Sequence, residues 1–291
     1  MAVCQDRVVI VTGAGGGLGK AYAELFAAEG AKVVVNDINE KAANVVVSVI
    51  KEAGGEAVAN TNDITDYEEA ALIVKQAIDS FGDLHVVVNN AGVCRDRMFA
   101  SLSESDWDMV MNVHLKGHFC ISSHAVKYWR EQSKGGKDVN ARIINTSSGA
   151  GLQGSIGQSN YAAAKGGIAS LTLVQAAELA RYGITSNGLA PAARTGMTED
   201  VFADMMKKPE DGFDYYAAEN VAPLVVWLGS EAASGVTGKL FEIEGGKLSV
   251  ADGWRQGPQK DKGARWDVAE IGDAIGSLID ESVPAQKVYG T

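Results

Sequence analysis

Short aliphatic runs alternate along the chain with longer stretches whose apolar positions recur every three or four residues. The runs RVVIVTG (7–13), AKVVVND (31–37), GEAVANTND (55–63), LHVVVNNAG (84–92), ARIINTSS (141–148), ITSNGLAP (184–191) and KLFEIEGG (239–246) predict strands. Segments 19–29, 66–80, 105–132 and 160–182 predict helices. Unbroken Val/Ile runs are expected of strands covered on both faces, which means a parallel sheet. Strand and helix alternate from residue 7 to about 245, so a single α/β domain is expected, with seven parallel strands and helices on both faces. The pattern weakens near residue 250, where ADGWRQGPQKDKGARW (251–266) is polar. The expected division is a domain over 1–248 and a C-terminal extension over 249–291, packed on that domain or on a neighbouring subunit. The extension is too short for a core of its own.

One loop narrows the fold class to a Rossmann-like, doubly wound sheet. VTGAGGGLGKAYAELF sets Gly13, Gly17 and Gly19 between a predicted strand and a helix. Glycines there permit a tight turn and let backbone N–H groups approach a pyrophosphate at the positive end of the helix. The next strand ends at Asp37, whose carboxylate can accept from both ribose hydroxyls and would repel a 2′-phosphate. NAD is therefore favoured over NADP. Asp63 ends a further strand and can accept from an adenine amino group, while Asp66 is the expected cap of the following helix. Asn90, Ala91 and Gly92 in NNAG offer small residues and amides beside the same crevice.

Composition removes other classes. The net charge is −11 over 291 residues, which repels nucleic acid and anionic membrane surfaces. Cys4, Cys94 and Cys120 show no paired spacing and suit a reducing compartment. The start, MAVCQDRVVIVTG, has an aliphatic run too short for a signal peptide or a membrane span, and KVYGT is no peroxisomal address, so a cytoplasmic protein is expected. His114, His118 and Cys120 have metal-like spacing, but the intervening Gly117 and the lack of a fourth ligand favour helix packing or a subunit contact. No metal site is expected. Without a G-x-S-x-G elbow, a serine hydrolase has no support.

The glycine pattern T-G-x-x-x-G-x-G, the NNAG stretch and the pair Tyr161-x-x-x-Lys165 together resemble the short-chain dehydrogenase/reductase family over about residues 5–247. That resemblance implies a catalytic set of Asn112, Ser148, Tyr161 and Lys165. Lys165, one helical turn after Tyr161, is expected to lower the phenol pKa from about 10 toward neutrality and to hydrogen-bond the nicotinamide ribose. Tyr161 would then exchange a proton with the substrate oxygen that Ser148 orients, and Asn112 would hold a water. The resemblance also extends the cofactor contacts to Leu18, Ile64, Pro191 and Thr195, and implies a homodimer or homotetramer. PAARTGMTEDVF (191–202) carries Ala192 where many members have glycine, and is expected to shape its own lid.

Narrower likeness lies in NNAGVCRDRMFASLSESDWD (89–108), VHLKGHF (113–119), GQSNYAAAKGG (157–167) and VAPLVVWL (221–228). These resemble the (3R)-hydroxyacyl-CoA dehydrogenase part of peroxisomal multifunctional β-oxidation enzymes and stand-alone bacterial homologues. The implied substrate is a (3R)-3-hydroxyacyl-CoA, with Arg95 and Arg97 either meeting CoA phosphates or lying solvated in a loop. The rival activities are a hydroxysteroid or other secondary-alcohol dehydrogenase and a 3-oxoacyl-carrier-protein reductase. The reductase is expected to prefer NADPH, which Asp37 opposes. A nucleotide-sensing regulator of the same fold is expected to lack a member of the catalytic set, and none is missing.

Overall fold

A computed structural model describes residues 2–196, 206–284 and 286. In chain order the elements are β1 (Val8–Thr12), α1 (Gly17–Ala28), β2 (Lys32–Asn36), α2 (Glu40–Glu52), β3 (Glu56–Asn60), α3 (Tyr67–Phe81), β4 (Val86–Asn89), α4 (Glu104–Met111), α5 (Gly117–Lys134), β5 (Ala141–Thr146), α6 (Gly149–Gln153), α7 (Ser159–Leu179), β6 (Ile184–Ala192), α8 (Ala222–Gly229), β7 (Leu240–Glu244), β8 (Lys247–Ala251) and α9 (Val268–Glu281). The strands form one sheet in the order β3-β2-β1-β4-β5-β6-β7-β8. All pairings are parallel except the last, in which β8 runs antiparallel to β7.

The aliphatic runs explain this packing. Every residue of β1, β4 and β5 is buried. Because side chains alternate between faces, Val9 and Val11 meet Tyr22, Phe26, Val46 and Val225 on one side of the sheet. Val8 and Ile10 meet Ile73, Ile121 and Trp129 on the other. Helices α1, α2 and α8 thus cover one face, and α3 and α5 the other.

Three features depart from the sequence reading. The sheet has eight strands rather than seven, because Gly245 and Gly246 form the turn of a β7–β8 hairpin instead of ending a strand. The segment 105–132 is not one helix: between α4 and α5 the backbone makes a π-helical turn over Asn112–Lys116, with Gly117 N–H bonded to the Asn112 carbonyl. Glu40–Glu52 is a helix outside the named helical segments, capped by the Asn39 side chain accepting from Ala42 N–H at 3.1 Å. Asp66 does cap α3, accepting from Glu68 and Glu69 N–H at 2.9 Å each.

The extension supplies β8, which runs through the expected boundary after residue 248, and then α9. A carboxylate oxygen of Glu270 accepts from Asp267 N–H at 3.2 Å at the start of α9. No α9 residue is buried. Among the described residues no helix is long and apolar enough to cross a membrane.

Candidate active site

Strand order reverses direction between β1 and β4, and the crevice beyond their carboxyl ends is where doubly wound sheets take ligands. Thr12, the last residue of β1, stitches that crevice together. Its Oγ1 accepts from Asn90 N–H at 3.0 Å and Ala91 N–H at 3.1 Å, and its carbonyl accepts from the Asn90 side-chain amide at 3.0 Å. The Asn90 amide is thus spent on holding the loop, leaving the backbone beside Ala91 to face a ligand.

The glycine loop fits a dinucleotide on its own geometry. Gly13 has φ +63°, and a Cβ there would lie 2.7 Å from the Ala91 Cα. A Cβ on Gly19 would lie 2.2 Å from the Gly13 carbonyl oxygen, so only glycine lets α1 start this close to the turn. Among the described residues nothing lies within 4 Å of where a Gly16 Cβ would stand, and Gly16, the N-cap, brings no side chain to the first N–H groups of α1. Leu18 packs beneath the loop against the core, and the Thr195 methyl lies over Gly17, 3.3 Å from where a Cβ would stand. Pro191 lies near the end of β6, paired in register with Ile243. Of the segment 191–202, residues from 197 onward lie outside the described residues.

Asp37 stands at the loop's edge. One carboxylate oxygen accepts from Gly15 N–H and the other from Asn39 N–H, both at 2.9 Å. Each oxygen keeps a second lone pair, enough for two ribose hydroxyls. Asp63 accepts from Thr65 N–H at 2.7 Å. Ile64 is buried, packed where a Gly117 Cβ would otherwise lie 2.7 Å from its Cδ1.

Ser148, Tyr161 and Lys165 gather at the start of α7, whereas Asn112 is exposed. Tyr161 and Lys165 share one face of that helix, with the ammonium 5.5 Å from the phenol ring centroid. Lys165 is fully buried and donates to the Thr146 carbonyl at 2.6 Å, while Ser147 Oγ donates to the Lys165 carbonyl at 2.8 Å. These bonds fasten α7 to the end of β5. Ser148 caps α6 through Ala150 N–H at 3.2 Å, and its hydroxyl lies near enough to Tyr161 to pull the phenol's pKa down. Asn112 opens the π-helical turn, a form of helix break common at functional sites.

The electrostatics correct one expectation. Burial raises the Tyr161 pKa, the negative field of Cys94 and Asp96 adds to the rise, and the Ser148 hydroxyl offsets only part of it. Burial also pushes Lys165 down to about 7. The expected lowering of the phenol is not met, because a dry centre favours the neutral form of both groups.

Arg95 and Arg97 are exposed on a loop tied to the start of α7. Gln158 donates to an Asp96 carboxylate oxygen at 2.8 Å, Arg97 N–H to the Gly157 carbonyl at 2.8 Å, and Asn160 to the Arg95 carbonyl at 3.1 Å. Both guanidinium groups bond neighbouring backbone carbonyls, Cys94 at 2.7 Å and Asp96 at 2.8 Å. His114, His118 and Cys120 are all buried. Among the described residues no cluster of three or more His, Cys, Asp or Glu side chains is arranged to hold a metal ion. Sequence reasoning did not place His114 at the site, yet its ring stands edge-on to Tyr161 with centroids 5.2 Å apart. Its signal was its position, two residues after Asn112.

Comparison with known proteins agrees with this geometry. The family model described as short chain dehydrogenase matches residues 7–206. The chain is 41% identical to hydroxyacyl-CoA dehydrogenase ChsB1 of Mycobacterium tuberculosis, covering 99% of this chain and 93% of that protein. It is 44% identical to mouse peroxisomal multifunctional enzyme type 2, over 86% of this chain but only 32% of that longer protein. A crystal structure of a short chain dehydrogenase from Mycobacterium avium superposes with a TM-score of 0.91 at 55% identity, covering 99% of this chain and 100% of that one. With the glycine loop and the Tyr161–Lys165 pair in place on a doubly wound sheet, the chain belongs to the short chain dehydrogenase family and is an oxidoreductase.

Proposed function

We propose that this enzyme oxidises a (3R)-3-hydroxyacyl-CoA to the 3-oxoacyl-CoA with NAD. The observation that carries the chemistry is the meeting of Ser148, Tyr161 and Lys165 beside a glycine loop edged by Asp37. The substrate reading is supported by relatives named as a hydroxyacyl-CoA dehydrogenase and as peroxisomal multifunctional enzymes. When bound, the nicotinamide supplies the hydride acceptor.

The chain's own residues do the rest. The glycine loop and the start of α1 hold the pyrophosphate, Asp37 the adenosine ribose, and Lys165 the second ribose. Ser148 donates a hydrogen bond to the substrate oxygen and fixes its direction. Tyr161 Oη takes the hydroxyl proton as the C3 hydrogen leaves, so the oxygen becomes a carbonyl. A second hydrogen-bond acceptor for Lys165, beside the Thr146 carbonyl, favours its charged form and with it the phenolate. The exposed Arg95 and Arg97 side chains offer partners for CoA phosphates in an acidic protein.

The test is NADH formation from paired R and S 3-hydroxyacyl-CoAs of several chain lengths, beside a free secondary alcohol and a hydroxysteroid. The R thioesters should turn over fastest. Faster turnover of the S isomers, or a steroid preferred to every CoA ester, removes the substrate assignment and leaves the family untouched.

Cofactor choice has its own test. Wild type should favour NAD over NADP by about a hundredfold in kcat/KM, since a 2′-phosphate meets a carboxylate and loses its hydrogen bonds. Replacing Asp37 by Ala and the exposed Ile38 by Arg should shrink that ratio at least about tenfold. Equal use of both cofactors by the wild type would count against Asp37 as the selector.

A further inference from the structure

We propose that His114 is the positioning residue of this centre: its imidazole fixes both the Gly92–Val93 turn and the ring of Tyr161. The inference rests on the catalytic reading of Tyr161 given above. His114 sits in the π-helical turn opened by Asn112 and is 1% exposed. Its Nε2 lies 2.7 Å from the Val93 carbonyl oxygen and 3.0 Å from Val93 N, so in one tautomer it donates to the carbonyl and in the other it accepts from the N–H, and either way the ring is tied to the backbone of that residue. The other side of the site meets the ring itself, which stands at 89° to the Tyr161 ring. Gly92 makes the arrangement possible, because a Cβ there would lie 2.4 Å from the His114 Cε1. The glycine of NNAG thus serves the imidazole directly.

Plain core packing does not account for a histidine here. A leucine would fill much of the same volume without burying polar nitrogen, whereas Nδ1 of His114 is buried with no hydrogen-bond partner among the described residues. What leucine lacks is the bond to the Val93 backbone. The imidazole therefore bridges two parts of the site that must stay in register: by its hydrogen bond to Val93 the turn after β4, and by its edge-on ring contact Tyr161 on α7. Burial holds the ring well below the usual histidine range, at about 3, so it stays neutral and acts through shape and hydrogen bonding rather than charge. A displacement of about 1 Å at a reacting group is enough to cost about a hundredfold in rate.

The test compares His114→Leu, His114→Gln and His114→Asn for kcat, for NADH affinity by fluorescence titration, and for melting temperature. A glutamine amide reaches the place of Nε2 and carries both a donor and an acceptor, whereas asparagine is one methylene short. Leu and Asn should lower kcat at least about tenfold with NADH affinity within about threefold, because the glycine loop and Asp37 are untouched. Gln should recover to within about threefold of wild type. Should the leucine protein fail to fold, the Gln–Asn comparison decides. A leucine variant with kcat within about twofold of wild type overturns the inference. So do equal Gln and Asn variants, or losses that simply follow melting temperature. Tyr161→Phe run alongside separates the two readings. If it keeps its turnover, the catalytic reading falls; if it is inactive while His114→Leu is not, only the positioning role falls.

Discussion

Tyr161→Phe is expected to lower turnover at least about a hundredfold while leaving NADH affinity within about threefold of wild type. Phenylalanine keeps the ring that stands edge-on to His114 and lies 5.5 Å from the Lys165 ammonium, so the shape of the site survives. What disappears is the hydroxyl, and with it the side chain's only exchangeable proton. The nearest titratable neighbours are poor substitutes. Burial and Asp96 hold the Cys94 thiol above its ordinary range, and Lys165 points at the Thr146 carbonyl. The glycine loop, Asp37 and Lys165 remain to bind the cofactor. Steady-state NADH formation gives the rate, and fluorescence titration gives the affinity. A Phe variant that turns over near the wild-type rate would move the proton-transfer role away from Tyr161 altogether.

How much of this was legible in the sequence follows from how local each signal is. The strands of the parallel core announced themselves, because a strand buried on both faces must be apolar at nearly every position, as in VVIV and VVVN. The glycine loop was equally clear: a turn, a close helix start and an acidic strand end fall within one stretch of chain. β8 was missed because it follows β7 after only two glycines and its apolar Leu248 and Val250 lie exposed at the sheet edge, so KLSVA carries no core signature. The helix break at Asn112 was missed because periodicity continues smoothly through VMNVHLKGHF. Only Gly117, tight against Ile64, marks the place where the backbone must deviate.

Longer-range effects were the least readable. Tyr161 and Lys165 lie four residues apart and were correctly placed on one face, yet the electrostatic balance between them depends on burial contributed by β5, α6 and the 93–96 loop. A sequence shows which charges are near one another along a helix. How much water is left around them is a property of the folded packing, and here desolvation raises the phenol and lowers the lysine. His114 belongs to the same class. Its contact with Tyr161 crosses from the π-helical turn to α7, and nothing local connects them.

That buried lysine leads to the other large expected effect. Lys165→Met should nearly abolish activity and yet raise stability at pH 6. The loss of activity, at least about a hundredfold, follows if Lys165 is, as proposed, the cation that favours the phenolate and holds the second ribose. The gain in stability follows from linkage. In the unfolded chain the amine keeps its ordinary pKa of 10.5, whereas burial lowers it to about 7 in the fold. Below pH 7 both states are charged and folding bears the full cost of burying an ammonium. As pH rises from 7 toward 10.5 the unfolded chain binds more protons than the folded one, so the cost fades and wild type gains stability. Methionine, close to lysine in length, carries no such cost. It orphans the Thr146 carbonyl, worth about 1–3 kcal/mol, but a shift of this size corresponds to several kcal/mol and outweighs it. The methionine variant should therefore melt several degrees above wild type at pH 6, with the gap closing as pH approaches 10. Melting curves of both proteins from pH 6 to 10 decide the matter. A variant less stable than wild type at pH 6, or a gap that ignores pH, would mean that the fold does not hold Lys165 against its own charge.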